Sequence, residues 1–162
     1  MLTIRRMLEH MYWANDALLA GLREQRVANG EIGKLFRHVL IAEQVWVTRL
    51  EGKSSAHLTL WEESDVASLE ALVRDNERRY KRYIGELEES DLDLMLDYEN
   101  QSGAKFRSSI RDILIHVTLH GQYHRGQINS ALRRQSGNPV ALDPILFARL
   151  DEPPIPREGG GA

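Results

Sequence analysis

Apolar residues recur at steps of three and four along most of the chain, the period of helices that bury one face. This pattern predicts a first helix from about Leu2 to Leu22 and a second from about Glu31 to Glu51. The pair Asn29-Gly30 is typical of a turn between them, and Gly52 suits the left-handed position after a helix end.

Two further long helices are predicted. Ser64 is a candidate N-cap for a third helix, whose apolar positions run from Val66 to Leu87 after a longer crossover loop. Ser109, followed three residues later by Asp112, resembles a capping box at the start of a fourth helix, which should end before Gly137.

Between residues 92 and 106 the apolar positions alternate around a turn-rich segment, which predicts a small β-hairpin. Asp143-Pro144 predicts the start of a short helix that continues to about Leu150. We therefore expect an all-α fold, a four-helix bundle with a small hairpin before the last long helix and a short C-terminal helix. One domain should span residues 1–152, and residues 153–162 should form a flexible tail.

The composition excludes several classes of function. A formal net charge of -3 provides no basic surface for nucleic acid. No apolar run approaches the length of a membrane span, and the first residues lack the features of a secretory signal, so we expect a cytoplasmic protein. The chain has no cysteine, so a thiol could enter its chemistry only with a co-substrate.

Three histidines, His116, His120 and His124, follow one another at steps of four in the predicted fourth helix. Each step of four turns a helix by about 40°, so their rings should form a ladder on one face. Ile113 and Val117 share that face, which should therefore be buried. Burying a polar side chain without a partner costs about 1 to 3 kcal/mol, and a metal ion would remove that cost.

His38 lies on the apolar side of the second helix, in line with Ala42, Val45 and Arg49, and could reach across to the ladder. A single buried histidine is more often a core residue satisfied by hydrogen bonds, but a pair spaced by four with a third on another helix favours a metal site. Imidazoles without thiolates suit zinc, nickel, cobalt, iron or copper, and three protein ligands leave positions open, as in catalytic sites. No glutamate follows His120, so the pattern is not that of a zinc protease.

The chain resembles the DinB-like family of metal-binding four-helix bundles over nearly its whole length. Three motifs carry the resemblance. They are Tyr12-Trp13-Ala14-Asn15, His38 with Glu43 and Trp46, and the run of His116, His120 and His124 followed by Arg125-Gly126-Gln127.

The resemblance implies an up-down-down-up bundle, often a homodimer, with His38, His120 and His124 as the metal ligands. It implies one divalent transition metal, with zinc or nickel expected before iron, cobalt or copper. His116 is then a neighbour of the ligands. Gln127, about 20° from His120 around the helix, could orient a ligand or a bound water, or could simply bond between helices.

Several other residues leave two interpretations open. Gly121 and Gly126 disfavour a helix by about 0.5 to 1 kcal/mol each relative to alanine, and they could serve close packing or make room for a substrate. Asn15 and Asn76, on the apolar stripes of the first and third helices, could line a cavity or satisfy each other. Glu43 lies about 140° around the helix from His38 and is expected to be an ion-pairing or capping partner rather than a metal ligand.

Three functions remain open. The first is an enzyme that activates a thiol or water on the metal, because some members of the family transfer bacillithiol, mycothiol or glutathione to an electrophile and others isomerise or hydrolyse. Its partner would be a small-molecule substrate, with no nucleic acid and no membrane. The second is a non-catalytic metal-containing binding or stress-response module. The third is a plain bundle with vestigial histidines. For the homodimer, the side of the first helix with Trp13 and Ala17 is the expected interface.

Overall fold

The computed structural model of the protein describes residues 1–63, 65–100, 102–150 and 152, and this part of the chain is mostly helical. The helices are α1 (Leu2–Glu24), α2 (Gly30–Leu50), α3 (Val66–Glu86), a 3-10 helix (Glu89–Asp93), α4 (Ile110–Arg134) and α5 (Pro144–Ala148). The two strands, β1 (Met95–Glu99) and β2 (Lys105–Ser109), pair only with each other in the described residues.

The helix ends follow local side-chain chemistry. Asp65 caps α3, because its carboxylate accepts a hydrogen bond from the backbone N–H of Ser68 at 2.7 Å. The predicted cap, Ser64, lies outside the described residues. Ser109 caps α4 as predicted, accepting from the N–H of Asp112 at 3.0 Å. After α2, Gly52 takes the left-handed conformation, with φ of 73°.

Each of α1 and α2 packs against both α3 and α4. The apolar stripes of these helices meet in two clusters of buried residues. One cluster is centred on Leu18, Phe36 and Leu132, and the other on Leu8, Tyr80 and Leu114. Because α2 and α4 lie against each other, side chains on their facing sides can build one site.

The predicted hairpin is present and leads directly into α4. Its antiparallel register runs from Met95 opposite Ser109 to Glu99 opposite Lys105. At its tip the side chain of Asn100 accepts from the N–H of Ala104 at 2.9 Å. Since the residue that ends β2 also caps α4, the hairpin fixes the start of the helix that carries the histidine ladder.

The C-terminal segment folds back onto α1. The short helix α5 starts at Pro144 as predicted and ends at Ala148, two residues before the predicted end. The predicted tail, 153–162, lies outside the described residues. None of the helices in the described ranges combines the length and apolar character that crossing a membrane requires.

Candidate metal centre

The histidine ladder of α4 lies at the edge of the buried face rather than in its middle. Ile113 and Val117 are buried as expected, but His116 is exposed and His120 and His124 are partly exposed. The prediction that the whole ladder is buried is therefore wrong. The reason is helical geometry, since each histidine immediately precedes a residue of the buried row Val117, Gly121 and Arg125, and one residue turns the helix by about 100°.

The structure brings His38 of α2 next to the C-terminal two histidines of this ladder, His120 and His124. Its ring centre lies 4.7 Å from that of His124 and 5.5 Å from that of His120. His120 and His124 are themselves 4.5 Å apart, ring centre to ring centre. Helix packing between α2 and α4 thus places the three predicted ligands in one group.

The donor nitrogens of His38, His120 and His124 all lie within 4.8 Å of one another. The Nε2 atoms of His120 and His124 are 3.2 Å apart. Two nitrogens that bind one zinc ion tetrahedrally at about 2.0–2.1 Å are separated by about 3.3 Å, so this spacing fits a shared metal. The buried Nδ1 of His38 has no hydrogen-bond partner among the described residues. These side chains could hold a metal ion.

The surroundings favour the neutral imidazoles that a metal requires. Burial, helped by the neighbouring His124, His116, His38 and Arg125, lowers the pKa of His120 to about 4. Burial also lowers the pKa of His38, and His124 adds to that effect, while a hydrogen bond with the backbone of Leu60 opposes it. Both rings therefore remain neutral at physiological pH.

Gln127 contacts the cluster directly, because its Oε1 lies 2.7 Å from Nδ1 of His124. When Nδ1–H donates this bond, Nε2 of His124 is left free to bind a metal. This bond of Gln127 lies within α4 and does not join two helices. His116 stays beside the group, with its ring 5.4 Å from His120 and 5.3 Å from Trp46.

A cavity of about 400 Å³ opens beside the histidines. His38 and His120 line one part of it, and Ala42, Val45 and Trp46 provide apolar walls. The site is therefore accessible from a cavity large enough for a small molecule.

Trp61, in the loop after α2, stacks on the ring of His38, with the ring centres 3.9 Å apart and the planes 9° from parallel. The Trp61 residue is itself 57% exposed to solvent. Trp61 was not predicted at this site, because a loop carries no helical period that would place it next to His38. No residue pattern in the sequence would have revealed this contact.

A buried polar network lies behind the site and explains several residues left open above. Glu43 and Arg125 are both buried, and their side chains approach to 3.4 Å. Asn15 donates to both carboxylate oxygens of Glu43 at 3.0 Å, and Asn76 donates to one of them at 3.2 Å. Asn15 also accepts from Arg125 at 2.7 Å. The two asparagines thus satisfy Glu43 rather than line a cavity.

The cation that pairs with Glu43 was not predicted, although a pattern for it existed. Arg125 lies on the stripe of Gly121, Ile128 and Leu132, all of them buried. A charged residue on such a stripe requires a buried partner. Outside the network, His10 bonds to the carbonyl of Leu142 and His57 is exposed, and neither belongs to the histidine group.

Comparison with known proteins gives a concordant result. Residues 5–157 match the model of the DinB family. The chain is also 26% identical over 144 residues to Protein DinB of Bacillus subtilis (strain 168), across 80% of this chain and 84% of that protein.

Proposed function

The chain belongs to the DinB family, and on that premise we propose that it binds one divalent transition-metal ion on His38, His120 and His124 and uses it in catalysis. The reaction class is transfer of a low-molecular-weight thiol to an electrophile, or hydrolysis. The observation that carries the proposal is the convergence of three donor nitrogens within 4.8 Å at the end of a cavity. Zinc or nickel is the expected metal.

In this proposal the metal provides the nucleophile, and the residues of the chain hold the metal and the substrate. A divalent metal bound by these three imidazoles would lower the pKa of a water or thiol bound to it and so supply a nucleophile near neutral pH. Gln127 fixes the orientation of His124. Trp46 and Val45 provide apolar walls against which an electrophile can lie. Because the chain has no cysteine, the thiol must be a co-substrate.

The first test is the metal content of protein purified without a histidine tag, measured by mass spectrometry after dialysis. We expect one ion per chain in the wild type and in His57→Ala, an exposed control. His120→Ala and His124→Ala should lose stoichiometric binding, and His116→Ala should lose far less. A full complement of metal in both ligand variants would show that the assignment is wrong.

Catalysis needs a second test. Bacillithiol, mycothiol and glutathione are each incubated with a chromogenic aryl halide and the metal-loaded protein, with and without chelator. We expect product formation with one thiol, abolished by chelator and by His120→Ala. Full metal content with no turnover of any thiol or of ester substrates would favour the metal-containing binding module.

We infer that the four long helices run up, down, down and up. Three pairs of helix ends that lie next to each other support this order. The start of α1 lies beside the end of α3, the end of α2 lies beside the end of α3, and the end of α1 lies beside the end of α4. The contacts are hydrogen bonds of Arg5 to the carbonyl of Ile84, of Arg79 to Glu51, and of Gln25 to the carbonyl of Asn138.

We also propose a homodimer, with a face different from the one expected. Trp13 is half-buried and its ring lies 5.7 Å from that of Phe147 in α5, so α5 covers this side of α1. The apolar groove of about 540 Å³ between α1, α4 and α5, with the exposed Leu119 and Ile145, is the better candidate for contact with a second copy. Light scattering should give a dimer for the wild type and for Leu94→Glu, and a monomer for Leu119→Glu.

A further inference from the structure

Arg49, in the last turn of α2, is a buried cation that lines the same cavity as His38 and His120. Only 8% of the residue is exposed. A charge this deep in a protein normally has an opposite charge beside it, because desolvation of an unpaired ion is costly. The contacts of Arg49 therefore indicate whether the protein itself provides that partner.

No carboxylate pairs with Arg49 in the described ranges. Its Nε donates to the hydroxyl of Ser55 at 3.0 Å. Its guanidinium carbon lies 4.7 Å from the centre of the Trp46 ring and 5.0 Å from that of Tyr98. Burial lowers its pKa, but an arginine stays protonated at neutral pH. Among the described residues, Arg125 is also strongly buried, and it has Glu43 beside it.

The position of Arg49 relative to the histidines is set by α2. His38, Ala42, Val45 and Arg49 follow one face of that helix, and eleven residues span about 16 Å along its axis. The cavity is lined by both ends of this row and by the small side chains between them. A larger cavity of about 920 Å³, between the hairpin and the loop after α2, also reaches Arg49.

The acidic residues around that larger cavity are already neutralised. Asp97 accepts from Arg107 at 2.6 and 2.9 Å. Glu99 lies 4.0 Å from the ammonium of Lys105. An anion that approaches Arg49 therefore meets little net repulsion.

We propose that Arg49 binds the carboxylate of the substrate, an organic acid whose apolar body lies along Ala42 and Val45 toward the histidine cluster. This inference rests on the proposed function, because it takes the histidines as the reacting end of the cavity. Guanidinium groups bind carboxylates with two parallel hydrogen bonds, and the Nη atoms make no hydrogen bond to another described residue that would prevent this. Trp46 and Tyr98 hold the guanidinium by cation–π contacts and leave its donors available.

The test uses hexanoate and its uncharged counterpart hexanamide as probes, titrated by calorimetry into the zinc-loaded protein. We expect the wild type to bind hexanoate about tenfold or more tightly than hexanamide, because bonds between charged groups are the stronger ones. Arg49→Met should abolish this preference. Arg134→Met, in which an exposed arginine is removed far from the cavity, should retain it.

Zinc content and circular dichroism are measured on the same samples. Arg49→Lys keeps the charge without the planar fork and should retain only part of the preference, which provides a test even if Arg49→Met does not fold. A wild type without preference, or an Arg49 variant with the full preference, overturns the proposal. If either of these results is obtained with full zinc content, only the role of Arg49 is contradicted and the metal site stands. If the wild type holds no zinc but still prefers hexanoate, only the proposed function is contradicted.

Discussion

At the residue scale, the buried side chain of Arg125 explains why residue 121 is a glycine. A Cβ atom at this position would lie 2.9 Å from Nη1 and 3.1 Å from Nη2 of Arg125. That guanidinium cannot simply move, because it is buried and bonded to Asn15. Gly121 therefore serves close packing, one of the two roles left open by the sequence. Gly126, five residues later, would place a Cβ in open space.

The two glycines predict opposite outcomes for the same substitution. Gly126→Ala should raise the free energy of unfolding by about 0.5 to 1 kcal/mol, because alanine favours a helix interior. Gly121→Ala should lower it by about 1 to 3 kcal/mol, since the new methyl group overpacks the buried guanidinium. Urea unfolding followed by circular dichroism measures both. An equal gain in the two variants would mean that Arg125 does not occupy the space beside Gly121.

The pair of Glu43 and Arg125 gives a second prediction. Burial raises the pKa of Glu43, and Arg125, Asn15 and Asn76 oppose that effect. Arg125→Met should lower the free energy of unfolding by about 3 to 5 kcal/mol, because it leaves a buried acid without its cation. The double variant Glu43→Leu/Arg125→Met should recover part of this loss. The check is a double-mutant cycle by urea unfolding, in which simple additivity would contradict a direct interaction.

These residues also mark what sequence can reveal. Glu43 was expected to be an ion-pairing or capping partner because it lies on a different side of α2 from His38, and the helical period alone predicts that position. The identity of its partners depends on how α1, α3 and α4 surround α2, which no local pattern encodes. That no carboxylate of the described residues pairs with Arg49 was equally unpredictable, because it depends on how the hairpin and the loop after α2 pack around this side chain.

At the scale of elements, the helical period predicted the long helices to within a few residues, since each has a continuous apolar stripe. Helix ends are harder to predict, because neighbouring residues compete for one role. At the start of α3 the cap is Asp65. The fourth helix ends at Arg134, before Gly137 as expected, and Ser136 takes a positive φ of 59°. Several local solutions have similar energies at such ends, and tertiary contacts choose among them.

The docking of α5 on α1 predicts a dependence on pH. His10 of α1 bonds to the carbonyl of Leu142 at 2.9 Å, and its ring packs against the rings of both Trp13 and Phe147. Burial lowers the pKa of His10 from 6.5. The unfolded chain therefore takes up this proton first. The contribution of His10 to stability is complete above its ordinary pKa and is lost as the pH falls toward the lowered value.

Replacement of His10 by glutamine removes this titration and keeps a hydrogen-bond donor. Unfolding in urea is compared at about pH 7.5 and pH 5.5, on either side of the ordinary histidine pKa. The wild type should lose more free energy of unfolding between the two than His10→Gln does. The exposed control His57→Gln should behave as the wild type. The same loss in all three proteins would mean that other groups account for the acid sensitivity.

At the scale of the whole molecule, the candidate metal centre joins α2 to α4, which also meet through apolar side chains and through the buried pair of Glu43 and Arg125. A ligand that binds only the folded chain stabilises it by RT ln(1 + [L]/Kd), about 2.7 kcal/mol when free metal is a hundred times Kd. The stability of the entire fold should therefore depend on metal supply. This coupling extends to pH, because a proton on any of the three imidazoles prevents that ring from binding metal.

The pH range of this coupling follows from the surroundings of the histidines. An unperturbed histidine with a pKa near 6.5 would begin to lose metal just below neutral pH. Burial lowers the pKa of His38 and brings that of His120 to about 4, so these two rings stay available to metal in more acidic solution.

The rise in melting temperature on adding zinc should thus be complete near neutral pH, decrease on acidification, and be lost as the pH falls through the pKa of His120. His120→Ala should show little rise at any pH, and His57→Ala should follow the wild type. Scanning calorimetry with and without zinc across this range is the measurement. A zinc effect of constant size down to below pH 4, or one that His120→Ala retains, would mean that the imidazole cluster does not hold the metal.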